Sequence, residues 1–274
     1  MYLEHERGRR TMTAEEQAAV RAIAEQHLVN AEQAADAFIE GRRLPPLLLK
    51  SGFTVHHGAG DPAAVMLGEI FHGTVYTGSG FYDPMPGDVV IDGGANIGMF
   101  MLYVLSLERN LRVFCFEPFA STRERLQQNI AANGLSDSVT VYPYALFSSS
   151  TVMRLKSTAS SGETSFFERW NTLKNQPEEE VRCISLPAAL DLCGVDKVAL
   201  LKLDVEGAEL EIFEGASQLD WNRIRRIALE FHNFIRADTG LRVADMLRAY
   251  GYDRIDFTDD PAIGMIRASR DGRA

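Results

Sequence analysis

Three groups of residues in this chain have the types and spacing that chemistry needs. The first is Asp92-Gly-Gly-Ala-Asn-Ile-Gly98, a glycine-rich turn that follows the apolar run Val89-Val-Ile91. Gly94 and Gly98 leave room for a ligand to approach the backbone, and a helix opening there would offer oriented N–H groups. The acid at the head of the turn selects the ligand: Asp92 would repel a pyrophosphate and attract a cationic or zwitterionic group. The second is Glu117, which ends the next apolar run and is placed to accept hydrogen bonds from a ribose diol. Pro118 and Phe119 beside it can flank a flat base, and the backbone of Tyr144 or Ala145 can meet that base's edge. The third is acidic. Lys202, Asp204, Glu206 and Glu209 follow one apolar run, and Glu230 and His232 end another.

Adjacent parallel strands lie about 4.8 Å apart, so groups at neighbouring strand ends can converge on one small volume. Glu230 and His232 share a face, being two apart on a strand. Two chemical uses compete for this cluster. In one, His232 or Asp204 removes a proton from a poor hydroxyl nucleophile, with Glu230 helping to orient the acceptor. In the other, Asp204 and Glu230 hold Mg²⁺, which takes oxygen ligands and acidifies a bound diol. The plainer reading for Glu206 and Glu209 is charge–dipole attraction at a helix N-terminus, with Lys202 paired to one of them. Upstream, the segment holding Phe71, His72 and Tyr76 can fold back over the ligand, with Tyr76 on its carboxylate. The Ser/Thr-rich stretch 148–165 reads as a loop, and Phe166, Phe167 and Trp170 would line an apolar acceptor pocket.

The elements that must position these groups follow from periodicity. Residues 13–39 read as one helix, opened by the Thr13/Glu16 capping-box pattern and stopped near Gly41 and Pro45-Pro46. Residues 47–87 look like short strands and turns. From Asp88 the grammar becomes strand, turn, helix. Strands are expected at 89–92, 112–117, 138–146, 198–204 and 223–234, with helices to about 107, over 121–133 and in the stretch 205–216. A helix, a strand and a last hairpin strand close the chain. Strands alternating with helices specify an α/β, doubly wound, mostly parallel sheet of Rossmann-like type, here with an N-terminal helical extension. The expected division is an arm and lid-like segment over 1–68 and a ligand-binding domain over 69–274. Ligands of such sheets sit beyond the carboxyl ends of the strands. That is where Asp92, Glu117, Ala145, Asp204 and Glu230 stand.

Composition excludes other classes. With 274 residues, 46% hydrophobic and 24% charged, the chain has an ordinary globular make-up. A formal charge of −10 disfavours nucleic-acid binding. The three cysteines, Cys115, Cys183 and Cys193, match no zinc-ligand spacing and suit a reduced compartment. The first thirty residues lack the apolar core of a secretory leader, and the most apolar stretch is too short to span a bilayer. A cytoplasmic protein with no membrane partner is expected, and a homodimer contact through the N-terminal arm is one use for that arm.

The strings VVIDGGANIG, FCFEP, LQQNIAANGL, LLKLDVEGAELEIFEGA and ALEFH resemble the FkbM-type S-adenosylmethionine-dependent methyltransferases. The resemblance covers about 69–234, and its most specific part is the K-x-D-V-E-G-x-E string. It implies a class I methyltransferase fold, with S-adenosylmethionine as cofactor and Asp92, Gly94, Asn96, Gly98 and Glu117 among its contacts. It also implies O-methylation of a small-molecule hydroxyl on a secondary metabolite, a polyketide, peptide or sugar that could be presented on a carrier. The zwitterionic ligand favoured by Asp92 fits the amino-acid end of that cofactor. N- or carboxyl-methylation, a nucleotide-dependent oxidoreductase on the same fold and a non-catalytic cofactor-binding subunit are the alternatives.

Overall fold

The structure, a computed structural model, describes residues 12–156, 178–258 and 260–270. It divides into two units, Met1–Val55 and His56–Ala274.

In the first unit, the expected single helix is two: α1 (Ala14–His27) and α2 (Ala31–Ile39). The capping box is present, with Thr13 Oγ1 accepting from the Glu16 N–H and the Glu16 carboxylate from the Thr13 N–H. The break at Leu28 comes from long-range pairing. Leu28 is extended (φ −110°, ψ 145°) and bridges to Leu49, and the Val29 N–H donates to the Leu48 carbonyl at 2.7 Å. Asn30 accepts from the Leu48 N–H and donates to the Pro46 carbonyl. Strand β1 (Leu47–Leu48) pairs antiparallel with β2 (Thr54–Val55). A hairpin that captures three residues of backbone outweighs the local helix preference of an Ala-rich run.

The second unit opens with α3 (Ala63–Met66), which runs into a π-helical turn at Leu67–His72. The sequence pattern suggests strand and turn here, and the structure is helical instead. The core alternation then follows the sequence pattern: β3 (Val89–Gly93), α4 (Met99–Leu107), β4 (Arg112–Phe116), α5 (Ala120–Ala132) and β5 (Val139–Tyr142). Helix α4 is apolar around its circumference and buried from Met99 to Leu105, as a helix inside a core must be.

The expected strand over 138–146 splits at Pro143, which has no N–H to give a ladder. Its second half, β6 (Ala145–Phe147), leaves for a three-stranded sheet with β7 (Thr151–Lys156) and β8 (Glu178–Ser185), in the order β6-β8-β7. Residues 151–156, read as loop, are therefore strand. They pair antiparallel with a β8 whose charged start hid it from a search for apolar runs.

After α6 (Leu186–Cys193) come β9 (Leu200–Leu203), α7 (Glu209–Glu214), α8 (Gln218–Trp221) and β10 (Arg226–His232). Helix α9 (Thr239–Ala249), β11 (Arg254–Phe257) and β12 (Ile263–Ser269) close the chain. The main sheet runs β11-β12-β10-β9-β3-β4-β5, parallel from β10 to β5 and antiparallel where β12 joins β10 and β11. The chain starts this sheet in the middle, at β3, builds outward through β4 and β5, then returns to β3's other side with β9. That reversal puts the switch point, and the crevice, between the carboxyl ends of β3 and β9. Among the described residues, no helix is long and apolar enough to cross a membrane.

Candidate active site

The β3–α4 turn is held by the strand beside it. The Gly94 and Ala95 N–H groups both donate to the Phe116 carbonyl, and the Asn96 N–H donates to Glu117 Oε2 at 2.9 Å. Asn96 is left-handed (φ 50°), a conformation Asn tolerates, and its own Oδ1 accepts from the Ile97 N–H. Gly94 is required by two constraints: its φ of 74°, and the Asp204 carbonyl oxygen, which a Cβ would overlap. A side chain at Gly98 (φ 90°) would meet Leu126 and Met101. Both glycines therefore answer first to protein neighbours.

Glu117 is buried, and its second oxygen accepts from the Phe119 N–H at 3.0 Å. Burial pushes its carboxyl up to about 7, against the two backbone donors that favour the anion. A carboxylate has about four lone-pair sites, so two remain for a diol. Phe119 packs with Ala145, Leu155, Val181 and Cys183 into an apolar wall contributed by the small sheet.

These groups line one open cleft, whose walls include Gly94, Glu117, Pro118, Phe119, Ala145, Asp204 and Glu206. Tyr144 is outside this lining; its ring lies under the Arg182 guanidinium, 4.9 Å away. Asp92 is also behind the wall. It is wholly buried, and its carboxylate pairs with Lys202 Nζ at 3.2 Å.

Lys202 is the centre of the acidic cluster. It was expected to pair with Glu206 or Glu209, but β3 and β9 are in register at Asp92 and Lys202, which puts both side chains on one face. Nζ also donates to the Gly94 carbonyl at 2.7 Å, lies 3.7 Å from Asp204 Oδ2, and sits over the Tyr76 ring. Burial opposes its charge, but Asp92 and Asp204 outweigh that and raise its pKa. Tyr76 lies in this cluster too. Its hydroxyl donates to Asp204 Oδ2 at 3.0 Å and lies 3.5 Å from Glu230 Oε2. Burial and the two carboxylates drive the phenol pKa well up.

Glu206 and Glu209 pair with His232 instead. Glu206 is in the β9–α7 turn rather than the helix, at φ 53°, followed by Gly207 at 107°. His232 Nδ1 is 2.8 Å from Glu209 Oε1, and Nε2 is 3.4 Å from Glu206 Oε2. Burial lowers the pKa of His232, but the Glu209 bond and the surrounding carboxylates raise it to about 10. The imidazole is thus cationic at neutral pH.

One ligand atom each from Asp204, Glu206 and His232 lies within 4.8 Å of the others, the spread of a metal sphere. Two protonated groups, the imidazole and Lys202, already carry positive charge there. The Asp204–Glu230 pair expected to take Mg²⁺ has the Tyr76 hydroxyl between its carboxylates. The donor set as it stands does not suit Mg²⁺, which wants several free oxygens.

Sequence reasoning missed the roles of Lys202 and Glu209. A usable signal existed for the first: a lysine within Leu200–Leu203, a strand buried on both faces, must find a counter-charge. The proposed acceptor pocket of Phe166, Phe167 and Trp170 lies outside the described residues.

The chain matches the family model "Methyltransferase FkbM domain" over residues 92–254. Among curated proteins it is 30% identical to the 31-O-demethyl-FK506 methyltransferase FkbM of Streptomyces tacrolimicus, covering 75% of this chain and 88% of that protein. It is 32% identical to the AMB antimetabolite synthetase AmbE of Pseudomonas aeruginosa, covering 68% of this chain but spanning only 10% of that much longer relative. A solved METTL16 methyltransferase domain aligns at 12% identity and a TM-score of 0.49, covering 96% of this chain and 83% of that one. The family match runs through every strand end of the cleft and sets the oxidoreductase alternative aside: the chain belongs to the FkbM family of S-adenosylmethionine-dependent methyltransferases.

Proposed function

We propose that this enzyme methylates a hydroxyl oxygen of a small secondary metabolite. The observation that carries the reading is the cleft's two-ended chemistry. Phe119, Ala145 and Leu155 with Glu117 suit a nucleoside, and Gly94, Asp204 and Glu206 suit a charged amino-acid end and the acceptor beyond it. When bound, S-adenosylmethionine supplies a methyl group made electrophilic by its sulfonium. Glu117 holds the ribose diol and Phe119 flanks the base. Asp204 lines the cleft and accepts the acceptor's hydroxyl proton. His232 is the less suitable base, because it is almost wholly buried with both ring nitrogens engaged. Tyr76 and Lys202 fix the orientation of Asp204, and Glu230 extends the same network through Tyr76.

Two relatives carry names from specialised metabolism, and one name specifies an oxygen of FK506. Those names support a hydroxyl acceptor of that chemical class, free or presented on a carrier.

The test is methyl transfer from labelled donor to a panel of small alcohols, amines and carboxylic acids, with the labelled atom located by mass spectrometry. Ether formation that Asp204→Asn reduces by about 10²-fold or more is the expected result. Label found only on nitrogen or in esters would replace the O-methyl reading.

A further inference from the structure

Helix α5 opens at Ala120 with Phe119 in the N-cap position, where Ser, Thr, Asp and Asn are the usual residues. A phenyl ring has no oxygen to accept from the free N–H groups of the first turn. It stands instead in the wall of the cleft. The cap comes from another sheet: Glu179 Oε1, on β8, accepts from the Ala120 N–H at 3.0 Å. A carboxylate there also meets the positive end of the helix dipole.

The strand around Glu179 faces the same wall. Within Glu178-Glu179-Glu180 the outer two side chains are exposed and Glu179 is half-buried. Glu179, Val181 and Cys183 are two apart and so share a face of β8. Val181 and Cys183 are buried with Phe119, Ala145 and Leu155, and β7 sets Leu155 directly opposite Glu179. Leu155 and Ala145 in turn line the cleft beside Glu117, Pro118 and Phe119. From the α5 side, Arg123 Nη1 donates to the Glu117 and Pro118 carbonyls at 3.1 and 2.7 Å. The corner that carries the wall is thus tied on one side by its own helix and on the other by the small sheet. Apolar packing is non-directional and would let the small sheet slide against α5; the Glu179 hydrogen bond fixes where they meet.

We propose that Glu179 is a positioning residue for the nucleoside half of the cleft, clipping β8 to the start of α5 and so holding Phe119 and Leu155 in one wall. Glu179 is not part of the lining itself. A position that would otherwise need a short polar cap is thereby free to carry an aromatic ring. The proposal rests on the reading of Glu117 and Phe119 as the nucleoside end, and it needs no knowledge of the acceptor.

Calorimetric titration of the full-length protein with S-adenosylhomocysteine and with adenosine tests it. Glu179→Ala should weaken both ligands by the same factor, about fivefold, which corresponds to the ~1 kcal/mol of a lost helix cap. Glu179→Gln keeps an oxygen for the Ala120 N–H and should retain most of the affinity. Ala120→Pro removes the same hydrogen bond from its other end, at the helix position that suits proline, and takes the place of Glu179→Ala if that variant does not fold. Glu180→Ala, on the same strand with its side chain exposed, should change neither affinity. A role in stability alone would lower the melting temperature and leave the affinities of the folded protein as they were. In Phe119→Leu, which lacks the flat face, the Glu179→Ala step should shrink to less than about twofold, because both changes act through one group. Unchanged affinities in Glu179→Ala and Ala120→Pro, an equal loss in Glu180→Ala, or an undiminished step in Phe119→Leu overturns the proposal while the cofactor site stands. If Phe119→Leu binds both ligands as tightly as the unaltered protein, the nucleoside reading falls and takes this one with it.

Discussion

Glu117 shows how one residue can be read correctly for its position and still hold a surprise. It stands just past a strand and lines the cleft, where the sequence puts it, but both its oxygens are already in use by backbone N–H groups. Its carboxyl is pushed up to about 7 by burial. A folded-state pKa above the unfolded one means that its contribution to stability is greatest below the unfolded value, near 4.5, and is lost as pH rises toward 7. We expect ligand binding to run the other way, because only the anion keeps two lone pairs free for hydroxyl donors beside its two backbone N–H partners. S-adenosylhomocysteine should therefore bind about tenfold more tightly at pH 8 than at pH 6, and Glu117→Gln should flatten that dependence, as read by calorimetry. A flat profile in the unaltered protein would remove Glu117 as the diol acceptor. Lys202 teaches the complementary lesson. Its identity was visible, but its partners were not, because Gly94, whose carbonyl it holds, lies 108 residues earlier in the chain.

At the scale of elements, α5 does more than separate two strands. Asn129 is wholly buried on it, accepts from the His56 N–H at 2.6 Å, and donates to the His56 and Ile97 carbonyls. One amide thus ties the start of the second unit to the helix and to the mouth of the glycine turn. Arg125, one turn earlier, adds a two-point pairing with Asp61. Asn129→Ala would strand three backbone groups, at a cost of about 3 kcal/mol, measured as a lower urea midpoint with unchanged slope. A loss below about 1 kcal/mol would mean that water replaces the amide. The strands that hold the site were legible because their apolar runs are local signals. The small sheet behind Phe119 was not, since β7 and β8 gain their regularity from pairing with each other, and neither is apolar enough to announce itself.

The molecule as a whole is acidic, with a net charge of −10, and it concentrates that sign at the crevice. Asp92, Asp204, Glu206, Glu209 and Glu230 surround Lys202 and His232 and favour their charged forms, while burial in turn raises the pKa of Asp92 and Glu206. That balance bears on the metal question. With two protonated side chains and the Tyr76 hydroxyl already among the carboxylates, methyl transfer and S-adenosylhomocysteine affinity should be the same in EDTA as in Mg²⁺. Loss of turnover in EDTA with recovery on adding Mg²⁺ would reinstate the ion.

What the sequence determined by itself was everything set by short-range physics. The alternation of strand and helix patterns specified a doubly wound sheet. The glycines and the acid at Asp92 marked the ligand turn, and the spacing to Glu117 marked its companion. Such features follow from φ/ψ limits and side-chain periodicity, which act over a few residues. The tertiary structure decided the partnerships. Asp92 belongs to Lys202, Tyr76 to Asp204, and His232 to Glu209, and the helix expected over 13–39 yields at Leu28 to a hairpin. Each of these joins groups distant in the chain, and each is chosen by burial: a charge taken out of water must pair with whatever opposite charge the fold brings to it. No local pattern encodes that choice, and it is the choice on which the chemistry of the cleft depends.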